Sequence, residues 1–402
     1  MAALPLGPDT ADAVLAQLSE AVSIPDRSGV IARLEDALQE YFGARYAVLT
    51  SSGTAALHSM FTALGLRSGE EVIAPAYTFF ATVTPLLHMG VRPVLVDSDE
   101  TGNVNPAAVE RAITSRTKAV VVTHLWGVPC DMRGLIEITA RHGLALLEDG
   151  SHAHGATIAE DKVGTLGTAS AFSLNGPKPL SAGEGGFAMT DDEEVYYRLL
   201  LHGHYNKRCR TEIPVENPLA VYAVTGMGLK LRIHPLAAAI ALNQLSRLDT
   251  YLVGRRRIAA RMLQGLRGLP GLTVPDVPAH VEPAWYALCL QYHSEELDGL
   301  PIREFTAALH AEGCAELDRP GSTCPLNLHP LFQDDAPPFP GPTEWPRYAP
   351  GDFPVAERVH RQTLKLPVWH RSEDVPLADA YVTAFSKVIG NHQDLLRRGR
   401  TG

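Results

Sequence analysis

The chain has 402 residues, 45% hydrophobic and 20% charged, with a formal net charge of −10. That length allows two or three domains and a large core, and the acidic balance argues against nucleic acid as a partner. Cys130, Cys209, Cys289, Cys314 and Cys324 lack CxxC spacing; a sparse, odd set suits a reducing cytoplasm better than a disulfide framework. No apolar run is long enough for a membrane span, and Met1 to Thr10 lacks the basic and apolar regions of a secretory signal. A cytoplasmic, enzyme-sized protein is expected.

Residues 1–28 read as a loosely packed arm with a short helix over Asp12 to Val22. Ile31, Leu34, Leu38 and Phe42 recur at helical spacing, so Val30 to Phe42 is expected to be an amphipathic helix ending at Gly43. Strands are then expected at Tyr46–Leu49, Glu71–Ala74, Pro93–Asp97, Lys118–Thr123 and Leu144–Glu148. Between them come helices entered at Thr50–Leu57 and Tyr77–Thr82, and others over Val109–Ile113 and Leu135–His142. This alternation, with near-continuous apolar strands, predicts an α/β domain with a mostly parallel sheet, whose ligands bind at the carboxyl ends of the strands. Further helices are expected at Glu193–His202, from Pro235, and at Ile302–Ala311, Phe353–Leu364 and Leu377–Ile389. His204–Arg210 reads as a basic, polar loop, either solvated or a mouth that attracts carboxylate or hydroxyl-rich substrates, and Arg255–Arg257 as a solvated helix face. The turn-rich stretch Gly268–Pro278 looks like the entry to a smaller α/β domain containing a strand at Tyr286–Tyr292. Phe332–Pro354, dense in proline and aromatic residues, reads as a long ordered loop, and Asn391–Gly402 as a frayed tail.

Three stretches carry chemistry. Thr50-Ser-Ser-Gly-Thr-Ala-Ala-Leu57 joins a strand to a helix. Free N–H groups at a helix start bind anions, and Gly53 would let the backbone approach a phosphate, with Ser52 and Thr54 adding hydroxyls; a simple N-cap is the plainer alternative. Asp149 falls at a strand end, within Glu148-Asp-Gly-Ser-His-Ala-His-Gly155, where a carboxylate can pair with a cationic ring nitrogen or merely cap a turn. His152 and His154 form an H-x-H pair, but no third ligand cluster accompanies them, so no metal site is expected. Lys178 stands among small and turn-forming residues in Phe172–Gly186, before a strand at Phe187–Thr190. A partly desolvated lysine has a lowered pKa and can form a Schiff base with an aldehyde cofactor; a solvated loop lysine is the alternative.

Taken in chain order, these features resemble the DegT/StrS-type aminotransferases, pyridoxal-phosphate enzymes that aminate keto-sugars and keto-cyclitols. The resemblance runs through Ser52–Leu57, Tyr77–Thr82, Glu148-Asp149 with Ala153–Gly155, Phe172-Ser173 with Lys178 and Gly183–Gly186, Gln244–Asp249 and Gly351–Ala356. It implies the large-domain, small-domain fold type I of aspartate aminotransferase, with an arm at 1–28, a cofactor domain at 29–250 and a small domain at 251–402. It also implies a homodimer with sites at the subunit interface. Lys178 would carry pyridoxal 5'-phosphate and shuttle the proton, and Asp149 would pair with the pyridinium nitrogen. Gly53, Thr54 and Ser173 would hold the phosphate, Phe79 would stack on the ring, and His152 would lie near its phenolic oxygen. Many members have Asn in the segment matching Gly228–Arg232 and use it on the neighbour's phosphate; here Lys230 stands there, able to bind phosphate as a point charge. A relative with histidine for the lysine dehydrates instead, so Lys178 favours transamination.

The implied reaction moves an amino group from L-glutamine or L-glutamate to a keto acceptor. Segments 204–210, 228–235 and 324–330 are similar to the branch that aminates cyclitol ketones in aminoglycoside pathways, so a scyllo-inosose-type acceptor is expected. A nucleotide-linked keto-sugar is the alternative within the class. A non-catalytic or regulatory homologue is the alternative outside it, disfavoured because Lys178 and Asp149 are both kept. A Rossmann enzyme is disfavoured because Ser51–Thr54 lacks the GxGxxG spacing.

Overall fold

A computed structural model describes residues 7–334, 338–339 and 347–399. Its centre is a seven-stranded sheet in the order Tyr46–Thr50, Gly186–Thr190, Ala169–Ser173, Ala145–Asp149, Thr117–Thr123, Glu71–Pro75 and Arg92–Val96. Gly186–Thr190 runs antiparallel to both its neighbours, and the remaining pairs are parallel. The apolar runs explain the burial of the strands on both faces: Val120, Val121 and Val122 are fully buried, with alternate residues feeding different cores. Thr50, Thr123, Asp149 and Ser173 all end strands at one edge of the sheet. Because it runs antiparallel, the strand Gly186–Thr190 begins at that same edge.

The C-terminal residues form a second centre. Leu272–Thr273, Leu288–Tyr292 and Thr363–Leu366 make a three-stranded antiparallel sheet. The helices Leu248–Leu266, Ile302–Ala311 and Val375–Gly390 cover it through a core containing Met262, Phe305 and Phe385. The helix expected over Phe353–Leu364 stops at Gln362, and the alternating Thr-Leu-Lys-Leu that follows is the central strand's partner. The expected frayed tail is instead a helix, His392–Gly399, whose Leu395 and Leu396 pack on this core.

Other local expectations change for identifiable reasons. Tyr77–Phe79 is a strand, not a helix start, because it pairs with Thr323–Pro325; a 3-10 turn at Phe80–Thr82 follows. The N-terminal helix spans Pro8–Ser19 and packs on Pro235–Leu245, where the Thr10 hydroxyl donates to Asn243. Of the proline-rich stretch, residues 332–334, 338–339 and 347–354 are described, among them Tyr348. Its hydroxyl accepts from the Leu95 amide at 2.9 Å and so covers the edge strand Arg92–Val96. Trp345 lies outside the described residues.

The basic stretch at 204–210 is not a solvated loop either. Lys207–Glu212 is helical, and Arg208 is 1% exposed. Its guanidinium donates to both carboxylate oxygens of fully buried Glu35, at 2.8 and 3.1 Å, and to Glu212. Glu35 also accepts from the Leu49 amide at 3.0 Å, on the strand that leads into the Ser51–Gly53 turn. A buried cation on one element therefore fixes a carboxylate on another and, through it, a strand of the sheet. Removing one partner of such a pair strands the other charge. Arg208→Ala is expected to lower unfolding stability by about 3–5 kcal/mol in denaturant titration, whereas Arg45→Ala, on the exposed pair with Glu193, changes it by about 1 kcal/mol or less.

Candidate active site

The strand ends converge on a cavity of about 320 Å³. One wall is the start of the helix Gly53–Ala63. The Ser52 hydroxyl caps it by accepting from Ala55 N–H at 3.0 Å, so the plain N-cap reading is correct for this side chain. Gly53 and Thr54 remain as the first helical residues, whose N–H groups have no carbonyl to meet within the helix. A β-carbon on Gly53 would lie 2.6 Å from Ser173 Cβ, and one on Gly186 would lie 2.5 Å from the Ser52 carbonyl. The turn, the Ser173 strand end and the start of Gly186–Thr190 are thus in direct backbone contact, with a small, amide-lined cradle beside the Ser173 hydroxyl.

Asp149 occupies the floor, 4% exposed. Its carboxylate accepts from Thr82 Oγ1 at 2.7 Å and from the Ser151 amide at 3.1 Å. Thr82 in turn belongs to a hydroxyl chain with Thr78 and Thr123. Adjacent Glu148 points to the opposite face and is consumed structurally. It accepts from the amides of Gly164, Leu166 and Gly167 at 2.7–2.8 Å, and His124 Nε2 lies 3.1 Å away. Two neighbouring carboxylates therefore have separate duties because strand side chains alternate.

Lys178 projects from a turn in which its own N–H donates to Asn175 O at 2.9 Å. The loop is closed at its base by pairing of Asn175 with Gly183. Burial pushes the amine's pKa down to about 8, while the Asp149 charge pulls the other way. His152 Nδ1 accepts from Trp126 N–H at 3.3 Å, which leaves the ring proton on Nε2. Burial, and then the nearby Lys178 charge, hold this imidazole well below its usual pKa, so it is a neutral donor. Phe79 lines the cavity beside Ala81.

Most of the residues singled out in the sequence therefore meet in one cavity: Gly53, Thr54, Phe79, Asp149, His152, Ser173 and Lys178. Lys230 does not. It is exposed on a segment bridged to His204, one residue from Leu231, whose carbonyl accepts from Ser51 N–H. His154 is also elsewhere, packed against the stacked Phe172 and Phe187 rings, and burial pushes its pKa down to about 3. The H-x-H pair is thus split between two environments, and among the described residues no cluster of three or more His, Cys, Asp or Glu side chains could hold a metal ion.

Tyr286, Ser322 and Thr323 also line the cavity, and no motif in the sequence marked them. Tyr286 stacks on His152 with ring centroids 4.2 Å apart and an interplanar angle of 5°. It is delivered by a turn in which Trp285 has φ 49, docked on another in which Trp126 has φ 58. Left-handed backbone at such side chains costs about 1–2 kcal/mol each. It persists because the surroundings fix it: Ala284 N–H donates to Gly127 O and Ala287 N–H to Trp126 O. A β-carbon on Gly127 would meet Tyr286 N at 2.7 Å.

An anion cradle, a buried carboxylate, a neutral donor and a lysine of lowered pKa suit an aromatic aldehyde bearing a phosphate. The profile of the DegT/DnrJ/EryC1/StrS aminotransferase family matches residues 26–379. The chain is 34% identical to the spore coat polysaccharide biosynthesis protein SpsC of Bacillus subtilis, over 87% of each chain. It is also 34% identical to L-glutamine:scyllo-inosose aminotransferase of Streptomyces griseus, covering 90% of this chain and 86% of that one. Among solved structures, the aminotransferase from Psychrobacter cryohalolentis superposes with a TM-score of 0.85 at 26% identity, covering 98% of this chain and 99% of that one. The chain belongs to the DegT/DnrJ/EryC1/StrS aminotransferase family and is a pyridoxal-phosphate-dependent transaminase of fold type I.

Proposed function

We propose that Lys178 is the reactive lysine of a transaminase that moves an amino group from L-glutamine or L-glutamate to a keto-cyclitol of the scyllo-inosose type, in the cytoplasm and in antibiotic or secondary-metabolite biosynthesis. The observation that carries the reading is the Lys178 amine, its pKa lowered by burial to about 8, in the same cavity as Asp149, Gly53 and Thr54. The likeness to the Streptomyces griseus enzyme supports glutamine and a cyclitol ketone.

The residues divide the work. Gly53, Thr54 and Ser173 would hold the cofactor phosphate with two amides and a hydroxyl. Asp149, oriented by Thr82 and the Ser151 amide, would keep the ring nitrogen protonated. His152 would donate from Nε2 to the phenolic oxygen, and Phe79 would pack on the ring. Pyridoxal phosphate, when bound, supplies the electron sink for charge left by a departing α-proton. Lys178 would hold the aldehyde and, once freed by the amino donor, would take that proton as general base and return it as general acid. The same residues would serve the keto acceptor in the reverse direction.

The proposed assembly is a homodimer in which Lys230 reaches the partner's cofactor phosphate. The exposed apolar run Val215, Val221, Tyr222, Val224 and Met227 supports a covered face beside that lysine. Residues 29–250 are proposed as the cofactor domain, 251–402 as the small domain and 1–28 as the arm; the separate apolar core from Ile258 to Ile389 supports the division. Among the described residues no helix is long and apolar enough to cross a membrane.

Four outcomes test this reading. Adding L-glutamine to the yellow holoenzyme bleaches the cofactor band toward the pyridoxamine form, and Lys178→Ala abolishes the change. The aminated enzyme then discharges onto scyllo-inosose-type ketones; discharge only onto nucleotide-linked keto-sugars would move the acceptor assignment. In the apo-protein, the rate of pyridoxal phosphate capture climbs about tenfold per pH unit through the acid range and levels above a midpoint of about 8, because only the neutral amine attacks. A midpoint near the ordinary lysine value would remove Lys178 from the role. Gly186→Ala, whose new methyl would strike the Ser52–Gly53 backbone, raises the cofactor Kd by about 10- to 100-fold in equilibrium dialysis.

A further inference from the structure

Arg255 lies in the helix Leu248–Leu266 and is 8% exposed. Among the described residues it has no carboxylate partner. Its Nε donates to Trp285 O at 3.1 Å, and its Nη2 donates to Trp285 O and, at 3.2 Å, to Tyr286 O. Burial pushes this guanidinium down to about 10. A cation left in the interior with only two carbonyls to grip does not serve as an ordinary structural ion pair. Both carbonyls belong to the left-handed turn that carries Tyr286 into the cavity.

The Tyr286 ring stacks on His152 and, with centroids 6.3 Å apart, lies parallel to Trp126. The Lys178 Nζ lies 4.7 Å from the Tyr286 ring centroid. The negative face of an aromatic ring attracts an ammonium at this distance, more strongly when water is excluded. The other charged or titratable groups of the cavity are Asp149, neutral His152 and Glu184, the last bonded to Asn175. A ring face against a lysine that must alternate between amine and ammonium stabilises the proton-carrying form.

We propose that Tyr286 is a further active-site residue whose ring face holds the Lys178 amine, and that Arg255 acts through it as a positioning residue. The proposal rests on Lys178 being the reactive lysine, as argued above. It adds a contribution from the C-terminal part of the chain, which is otherwise represented in the cavity by Ser322 and Thr323.

The test reads Lys178 without the cofactor. Apo-protein is labelled competitively with a trace amine-reactive reagent over a pH series, and the Lys178 peptide is quantified by mass spectrometry. Tyr286→Leu removes the ring face at similar volume. Its labelling curve moves to lower pH, with about tenfold more free amine at a given pH below the midpoint. Tyr286→Phe keeps the face, and its curve stays with the wild type. Arg255→Met moves the curve as Tyr286→Leu does, and the double variant moves it no further, since the two residues act as one unit. Should Arg255→Met fail to fold, Arg255→Lys loses the planar fork but keeps the charge and is expected to give the same displacement. In the holoenzyme, Tyr286→Leu slows the L-glutamine half-reaction about tenfold, with little change in the glutamine concentration for half-saturation. An unchanged Lys178 curve in Tyr286→Leu overturns the role of Tyr286. A wild-type curve in folded Arg255 variants, or full additivity in the double variant, overturns the role of Arg255. Failure of the Lys178 assignment itself appears separately, as cofactor bleaching that survives in Lys178→Ala.

Discussion

The site depends on one close backbone contact. Gly186 lies so near the Ser52 carbonyl and Gly53 amide that no β-carbon fits between them, and Gly53 lies as near to Ser173. Three sheet strands are thereby brought together at a helix start without intervening side chains. The result is a ring of amides and one hydroxyl, which suits a phosphate because N–H groups at a helix start have no internal partner. Any side chain in that seam would separate the strand carrying Ser173 from the helix carrying Thr54. The Arg208–Glu35 pair supports the same seam from behind, since Glu35 also holds Leu49 one strand residue before the turn.

The sheet sorts chemistry by alternation. Glu148 and Asp149 are adjacent, yet one is saturated by loop amides and His124 while the other opens on the cavity. The saturated carboxylate fixes the loop at 164–167 and leads directly to the strand that ends in Ser173. The open one accepts from the Thr82 hydroxyl and the Ser151 amide, which fix its orientation in the cavity. Lys178 completes the pattern from a short bridged loop, where burial and the Asp149 charge act on its proton in opposite directions. Burial outweighs the carboxylate, and the amine's pKa falls to about 8, below the ordinary lysine value.

The C-terminal part enters this arrangement through a pair of strained turns. Trp126 and Trp285 both adopt left-handed backbone, and the hydrogen bonds from Ala284 and Ala287 lock one turn onto the other. Their payload is a stack of Trp126, His152 and Tyr286; the Trp126 N–H sets the tautomer of the histidine, and Tyr286 turns its ring to the lysine. A buried arginine on a helix outside the cavity grips the same turn.

Much of this was legible in the sequence, and the division has a physical basis. The parallel sheet, the strand-end Asp149, the capped turn at Ser52–Thr54 and the glycine-framed Lys178 are local features: apolar period, cap chemistry and turn residues act over a few positions, so composition and spacing report them. Arg208 and Arg255 looked like solvated cations because a charge in a polar run carries no mark of the carboxylate or carbonyl that will meet it from far along the chain. Tyr77–Phe79 looked like a helix start because its pairing partner, Thr323–Pro325, lies more than two hundred residues away in sequence. Tyr286 stood unremarked in a strand-like run for the same reason. The sequence by itself determined which groups could bind phosphate, hold a ring nitrogen and attack an aldehyde. Tertiary structure decided which cations are buried, which histidine faces the cavity and which tyrosine meets the lysine, because those depend on contacts between segments that no local pattern encodes.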